Sequence, residues 1–238
     1  MIIQIDHIAF SSMNFAEHIR ILQSLGYLLK FSSTGKKNME IKRSLLREFG
    51  ESHDLALLTH VSSIPIELLN HGHVNTSEGY IFPLFDNAPD EFLKSIGVDA
   101  GVSSYNGSFR FNKFVVKTSD VRKSADFWKN FGFREISCGS EAALLEFRSP
   151  LSKVSCTIFL KHDTAVENQK YFLDDMGFNC IAFISNSAKK EREALIKNGI
   201  KTTEIEQFTS NNTPLNVFFA IGPAGEVVEI IEPQKVKK

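Results

Sequence analysis

Ile5-Asp6-His7-Ile8-Ala9-Phe10 decides how this chain is read, because the chain returns to it twice in altered form. Asn112-Lys113-Phe114-Val115-Val116 and Asn179-Cys180-Ile181-Ala182-Phe183 repeat its pattern, an apolar strand with Asp or Asn before one variable position. Each is followed by a helix-like run that closes on a glycine, in Leu25-Gly26-Tyr27, Phe131-Gly132-Phe133 and Asn198-Gly199-Ile200. The same interval separates His7 from Gly26, Lys113 from Gly132 and Cys180 from Gly199. Self-similarity at a fixed interval marks a repeated structural unit.

Working outward, Ile2 to Phe10 reads as a buried strand bounded by Ser11-Ser12. Asn14 has the character of an N-cap, with Glu17 completing a box-like start, and Phe15, Ile19 and Leu22 share one helical face. Strands follow at 27–32, 54–60 and 64–69, so the first unit is β-α-β-β-β. The basic segment from Lys36 to Arg47 reads as an exposed loop or short helix. Its charges suggest a solvated face, with contact to an anionic ligand as the alternative. Residues 72–111 resemble a truncated unit, with a strand at 79–85, a short helix at 90–96 and a Ser/Asn/Gly-rich loop at 101–108. A third unit starts at Phe111, and its helix carries Val121, Ala125, Trp128 and Phe131. A fourth starts at Asn179 and ends in the strand 226–231, before a basic tail.

Composition bounds the function. The 238 residues suffice for one large domain or two small ones, and 42% hydrophobic with 23% charged is an ordinary globular balance. A net charge of −1 argues against a nucleic-acid partner bound by phosphate neutralisation. The 21 Phe, against 4 Tyr and 1 Trp, are mostly core, with a minority suited to lining an apolar ligand cavity. Three cysteines, Cys138, Cys156 and Cys180, lack metal-type spacing and make no disulfide framework. With no signal-like amino terminus and no apolar run of membrane-spanning length, the expected location is cytoplasmic, with no membrane partner.

The β-α-β-β-β unit with His on its first strand and Glu on its last resembles the vicinal oxygen chelate superfamily. That superfamily includes glyoxalase I, extradiol dioxygenases and bleomycin-resistance proteins. The resemblance rests on Ile5 to Phe10, Leu25-Gly26-Tyr27, Pro65-Ile66-Glu67-Leu68-Leu69 and Gly225-Glu226-Val227-Val228-Glu229-Ile230-Ile231. It implies an α+β fold of paired units in curved mixed sheets enclosing a cavity. Two glyoxalase-like halves, 1–110 and 111–238, are expected.

The resemblance also implies a divalent metal (Fe, Mn, Ni, Co or Zn) that binds vicinal oxygens of a small substrate as a Lewis acid. It places the ligands at His7 and Glu67, with Glu67 also catalytic. Glu78, which precedes Gly97 by the repeat interval, is the third ligand expected; His71 and His73 are other candidates on the same exit loop. The corresponding positions later in the chain are Lys113 and, approximately, Ile158, then Cys180 and Glu229. A protonated lysine cannot ligate, so the carboxyl-terminal half is expected to hold no metal, with Glu229 paired or a relic.

Each residue has a plainer alternative. A lone strand histidine is commonly hydrogen-bonded structure, His71-Gly72-His73 reads as solvated loop, and Cys180 as a small buried residue. The His7/Glu67 pair favours a metal-dependent lyase, epimerase or dioxygenase. The Lys113 and Cys180 replacements favour a metal-free binding protein of the bleomycin-resistance type, or a retired site. A homodimer supplying a missing ligand in trans is compatible with either.

Overall fold

The computed structural model describes residues 1–73, 77–96, 109–149, 151, 154–167 and 169–234. The Ile-rich start forms strand β1 (Ile2–Ser11), followed by helix α1 (Phe15–Ser24) and strands β2 (Leu28–Lys37), β3 (Ser52–Thr59) and β4 (Ile66–Asn70). Leu22 anchors α1 in the core, and the chain leaves the helix through Gly26 at φ +92°. Gly132 and Gly199 close the later long helices at φ +90° and +77°. The repeated glycines are therefore left-handed helix stops, a conformation that costs a side chain with Cβ.

Asn14 occupies the N-cap position of α1, but its side chain makes no capping bond; its N–H donates to Ser12 Oγ at 2.9 Å. The expected box is replaced by a serine turn. Strand β2 also runs further than expected, and a 3₁₀ turn (Glu40–Leu45) links it to β3. The basic segment is not simply solvated: Met39, Lys42, Leu45 and Leu46 are buried.

Strand β5 (Ile81–Asp86) and helix α2 (Asp90–Ser95) form the truncated unit. The loop expected at 101–108 and the end of the basic tail lie outside the described residues. The third unit contains β6 (Arg110–Thr118), α3 (Val121–Lys129), β7 (Arg134–Cys138), β8 (Ala142–Arg148) and β9 (Ser155–His162). Asp120 caps α3 by accepting the Lys123 N–H at 3.0 Å. The last unit contains β10 (Gly177–Ser185), α4 (Ala188–Lys197), β11 (Lys201–Thr202), β12 (Glu206–Ser210), β13 (Thr213–Ile221) and β14 (Val227–Pro233). The fold is α+β, with the described strands in one 14-stranded mixed sheet.

Strand pairing joins units far apart in the chain. β1 lies antiparallel to β10 and parallel to β4, and β10 lies parallel to β14. The first unit thus pairs with the last, not with the truncated unit that follows it within 1–110. The truncated unit pairs with the third, β5 antiparallel to β6 and β6 parallel to β9. The two groups of strands meet at the single register pair Phe178↔Ile81. The first and last units therefore share a ladder although they lie at opposite ends of the sequence, because β1 takes β10 as its antiparallel partner.

In the first/last pair, one face carries the main apolar core, with Leu22 of α1 and Leu195 of α4. The opposite face carries a smaller cluster that includes Ala9, Leu55, Leu69, Cys180 and Phe219, closed over by Met39, Leu45 and Leu46 from the segment between β2 and β3.

Candidate metal centre

His7 is aimed at this second face by an irregularity in β1. The register passes from Ile5↔Phe183 to His7↔Ala182, so Asp6 is an extra residue on β1. Such a bulge re-aims the following side chain. From there His7, Ala9 and Ser11 alternate onto one face, and all are buried. The parallel ladders set Glu67 beside Ala9 and Glu229 beside Ala182. With His7 opposite Ala182 and Ala9 opposite Cys180, the arrangement has approximate two-fold symmetry. It relates His7 to Cys180 and Glu67 to Glu229. The small side chains of Ala9 and Ala182 leave the space between them to the longer groups.

One ligating atom from each of His7, Glu67 and Glu229 lies within 4.8 Å of the other two. Among the described residues no other trio of His, Cys, Asp or Glu converges this way. His7 Nδ1 is 2.9 Å from Asp6 Oδ2, which orients the ring. His7 Nε2 faces Glu67 Oε2 at 3.3 Å and Glu229 Oε2 at 3.6 Å, yet is buried without a hydrogen bond to either. Buried polar nitrogens are rarely left so.

Burial opposes the charged form of His7, but Glu67, Asp6 and Glu229 outweigh it and raise its pKa well above the ordinary range. Burial likewise opposes ionisation of Glu67, and the charge of His7, helped by Lys42 and His53, wins and lowers its pKa. A proton on His7 makes the ring the cation between two carboxylates. Burial pushes the Cys180 thiol up, so the fourth symmetric position holds a neutral S–H.

The structure brings the expected His7 and Glu67 together but not Glu78. Glu78 is exposed, on an isolated bridge to Met176. Counting back from Gly97 presupposed a full-length strand and helix, whereas β5 and α2 have six residues each. The β5–β6 register instead sets Leu84 opposite Lys113. Glu229 takes the third place, although the sequence suggested a paired residue or a relic in a half without metal. Its equivalence to Glu67 was legible; the pairing of first and last units was not. Asp6 was read as a mark of the repeat and is also the orienting partner of His7.

His71 and His73 are not a solvated loop either. His71 stacks on His53 with ring centroids 5.8 Å apart, and His73 Nε2 is 2.9 Å from Asp174 Oδ2. Lys113 lies 3.4 Å from Asp86. The residue equivalent to Glu67 in its unit is Phe159, beside Val115, rather than Ile158. A one-residue offset in a strand exchanges faces, and Ile158 is wholly buried in the main core.

No family model matches the sequence, and a search of curated proteins finds no match. Solved structures do match. A variant of glyoxalase I from Zea mays superposes with TM-score 0.60 at 14% identity, over 96% of this chain and 92% of that one. A second variant gives 0.60 at 15% identity, over 96% and 93%. Unmodified Zea mays glyoxalase I gives 0.54 at 14%, over 96% and 92%. The fold is that of glyoxalase I. Within it, the pairing of β1 with β10 assembles the triad from the two ends of this chain. No described helix is long and apolar enough to cross a membrane.

Proposed function

We propose that this protein is a divalent-metal-dependent enzyme of the lyase, epimerase or dioxygenase kind, acting on a small oxygen-rich substrate. The observation that carries the reading is the His7 Nε2 buried without a hydrogen bond between two carboxylates. His7, Glu67 and Glu229 would hold the metal, with Asp6 fixing the imidazole. One imidazole and two carboxylates suit Fe, Mn, Co, Ni or Zn, and three protein donors leave positions for substrate oxygens. A metal bound there supplies Lewis acidity toward vicinal oxygens. The side chain of Glu67 is 18% exposed and that of Glu229 is 9%. Glu67 is therefore the carboxylate a substrate proton reaches more readily, and we assign it the acid–base role. The triad comes from one chain, so no ligand from a second copy is required.

A second reading, a metal-free small-molecule binding protein, is favoured by Cys180, a neutral thiol at the fourth symmetric position. Elemental analysis after reconstitution with each metal separates the two. Equimolar metal, lost in His7→Ala and Glu229→Ala, supports the enzyme. No metal under any condition overturns it in favour of the binding protein.

A further inference from the structure

Lys42 lies in the segment that closes over the triad's face, and it is 8% exposed. Its Nζ stands over the ring of Phe219, 5.8 Å from the centroid. Phe219 is the register partner of Glu229, so the ammonium is directed at the triad's neighbourhood. The Lys42 side chain makes no ion pair or hydrogen bond among the described residues. Its charge nevertheless acts on Glu67, His53, His71 and Cys180. An ammonium on a largely buried side chain, without a paired anion, gives up part of its hydration for no direct partner.

Two imidazoles stand beside it with unsatisfied nitrogens. His53 Nδ1 and His71 Nε2 are both buried without hydrogen-bond partners. Burial, reinforced by Lys42, pushes His53 down to about 3 and His71 to about 4, so both rings are neutral near pH 7. A neutral imidazole can donate to a carboxylate oxygen or accept from a neighbouring hydroxyl. One ammonium and two orphaned ring nitrogens thus gather on the face that holds His7, Glu67 and Glu229.

Charge balance points the same way. A divalent ion bound between Glu67 and Glu229 would offset both carboxylates, including the Glu67 group on which the Lys42 charge acts, and would leave only Asp6, against the other nitrogen of His7, to balance the ammonium. An anionic ligand supplies the missing charge. We propose that the ligand of this site carries a carboxylate beside its metal-binding oxygens, received by Lys42 with His53 and His71 as hydrogen-bond partners. The inference rests on the metal-centre reading for the position of the second oxygen, but the anion pocket stands without it.

The test compares glycerate with propane-1,2-diol, which share a carbon skeleton and two vicinal hydroxyls and differ in a carboxylate against a methyl group. Affinities are measured by calorimetry on the metal-reconstituted full chain and on the chelator-treated chain. Glycerate is expected to bind more tightly than the diol by about tenfold or more, the worth of one charge-assisted contact. Lys42→Met should remove that preference and Lys42→Arg should keep most of it. Should Lys42→Met fail to fold, as judged by near-ultraviolet circular dichroism, Lys42→Gln and His53→Leu serve in its place. Equal affinity for glycerate and diol in the wild type overturns the proposal. So does an undiminished preference in a folded Lys42 variant, which would make the lysine a structural counter-charge to Glu67. A chain that takes up no metal yet holds glycerate through Lys42 would sink the enzyme reading and uphold this one.

Discussion

The two strand groups of this protein use the same pairing scheme and present different surfaces. In the first/last group, the face bearing His7, Glu67 and Glu229 is closed over by the segment between β2 and β3, with His7 and Glu229 buried and Glu67 partly so. In the middle group, Lys113 and Phe159 take the places of His7 and Glu67, and Leu84 stands opposite Lys113 as Ala182 stands opposite His7. Leu84 and Phe159 are 41% and 37% exposed, and Lys117 stands 4.9 Å over the Phe82 ring. An imidazole with two carboxylates can be worth holding in the covered face, where low dielectric strengthens their hold on a cation. On the open face the same donors would be solvated. The difference teaches that the strand scheme supplies positions, while the covering segment decides whether they make a site.

The strongest way to break the comparison is His7→Ala. It leaves Glu67 and Glu229 without their cation, and chemical denaturation of the metal-free protein should show a loss of roughly 3–5 kcal/mol. A loss below 1 kcal/mol would mean the face is less buried than it looks. Next come the glycine stops, Gly132→Ala against Gly199→Ala. Both positions are left-handed, and a Cβ at Gly132 would meet the Phe147 ring at 3.2 Å, whereas Gly199 has open space. Both should lose about 1 kcal/mol or more, Gly132→Ala the larger amount. The reverse order would show that the middle group tolerates strain better.

Glu226 joins the two groups: its buried carboxylate accepts from Ser124 Oγ of α3 at 3.1 Å and from the Ala224 N–H at 2.8 Å. Burial raises its pKa. A folded pKa above the unfolded one means the native state holds its proton longer, so stability is greatest below the ordinary carboxylate range. It then falls as pH rises toward the folded pKa. Glu226→Gln should flatten that fall, with a change at neutral pH of about 1 kcal/mol. Thermal midpoints measured from pH 4 to pH 8 check it, and identical slopes would remove Glu226 from the account. The smallest effect is expected from grafting: Lys113→His with Phe159→Glu should change stability by no more than about 0.5 kcal/mol. The graft should add no metal, and a second equivalent of tightly held metal would show that cover is unnecessary.

Much of this architecture was legible in the chain. Ile5 to Phe10 and its two echoes locate β1, β6 and β10, and the glycine after each marks the helix end, because both features are local. His7 and Glu67 could be named because an ionisable group in an otherwise apolar strand stands out. Glu78 misled because a fixed interval was applied to a shortened unit. Ile158 misled because strand faces alternate, so an offset of one exchanges core for surface. Lys42 was hidden among charges that looked solvated, since burial of a long side chain depends on what folds over it.

By itself, then, the sequence determined the elements, their order and the chemical character of the strand faces, all set by short-range periodicity and turn residues. The tertiary structure decided which first strands pair. By laying β1 against β10 it made Glu229 the neighbour of His7, and it set Lys42 over the ring of Phe219, the register partner of Glu229. Those contacts join residues more than 150 positions apart. The physical reason is that ladder register between distant strands is settled by cooperative packing of whole faces, which no local stretch encodes.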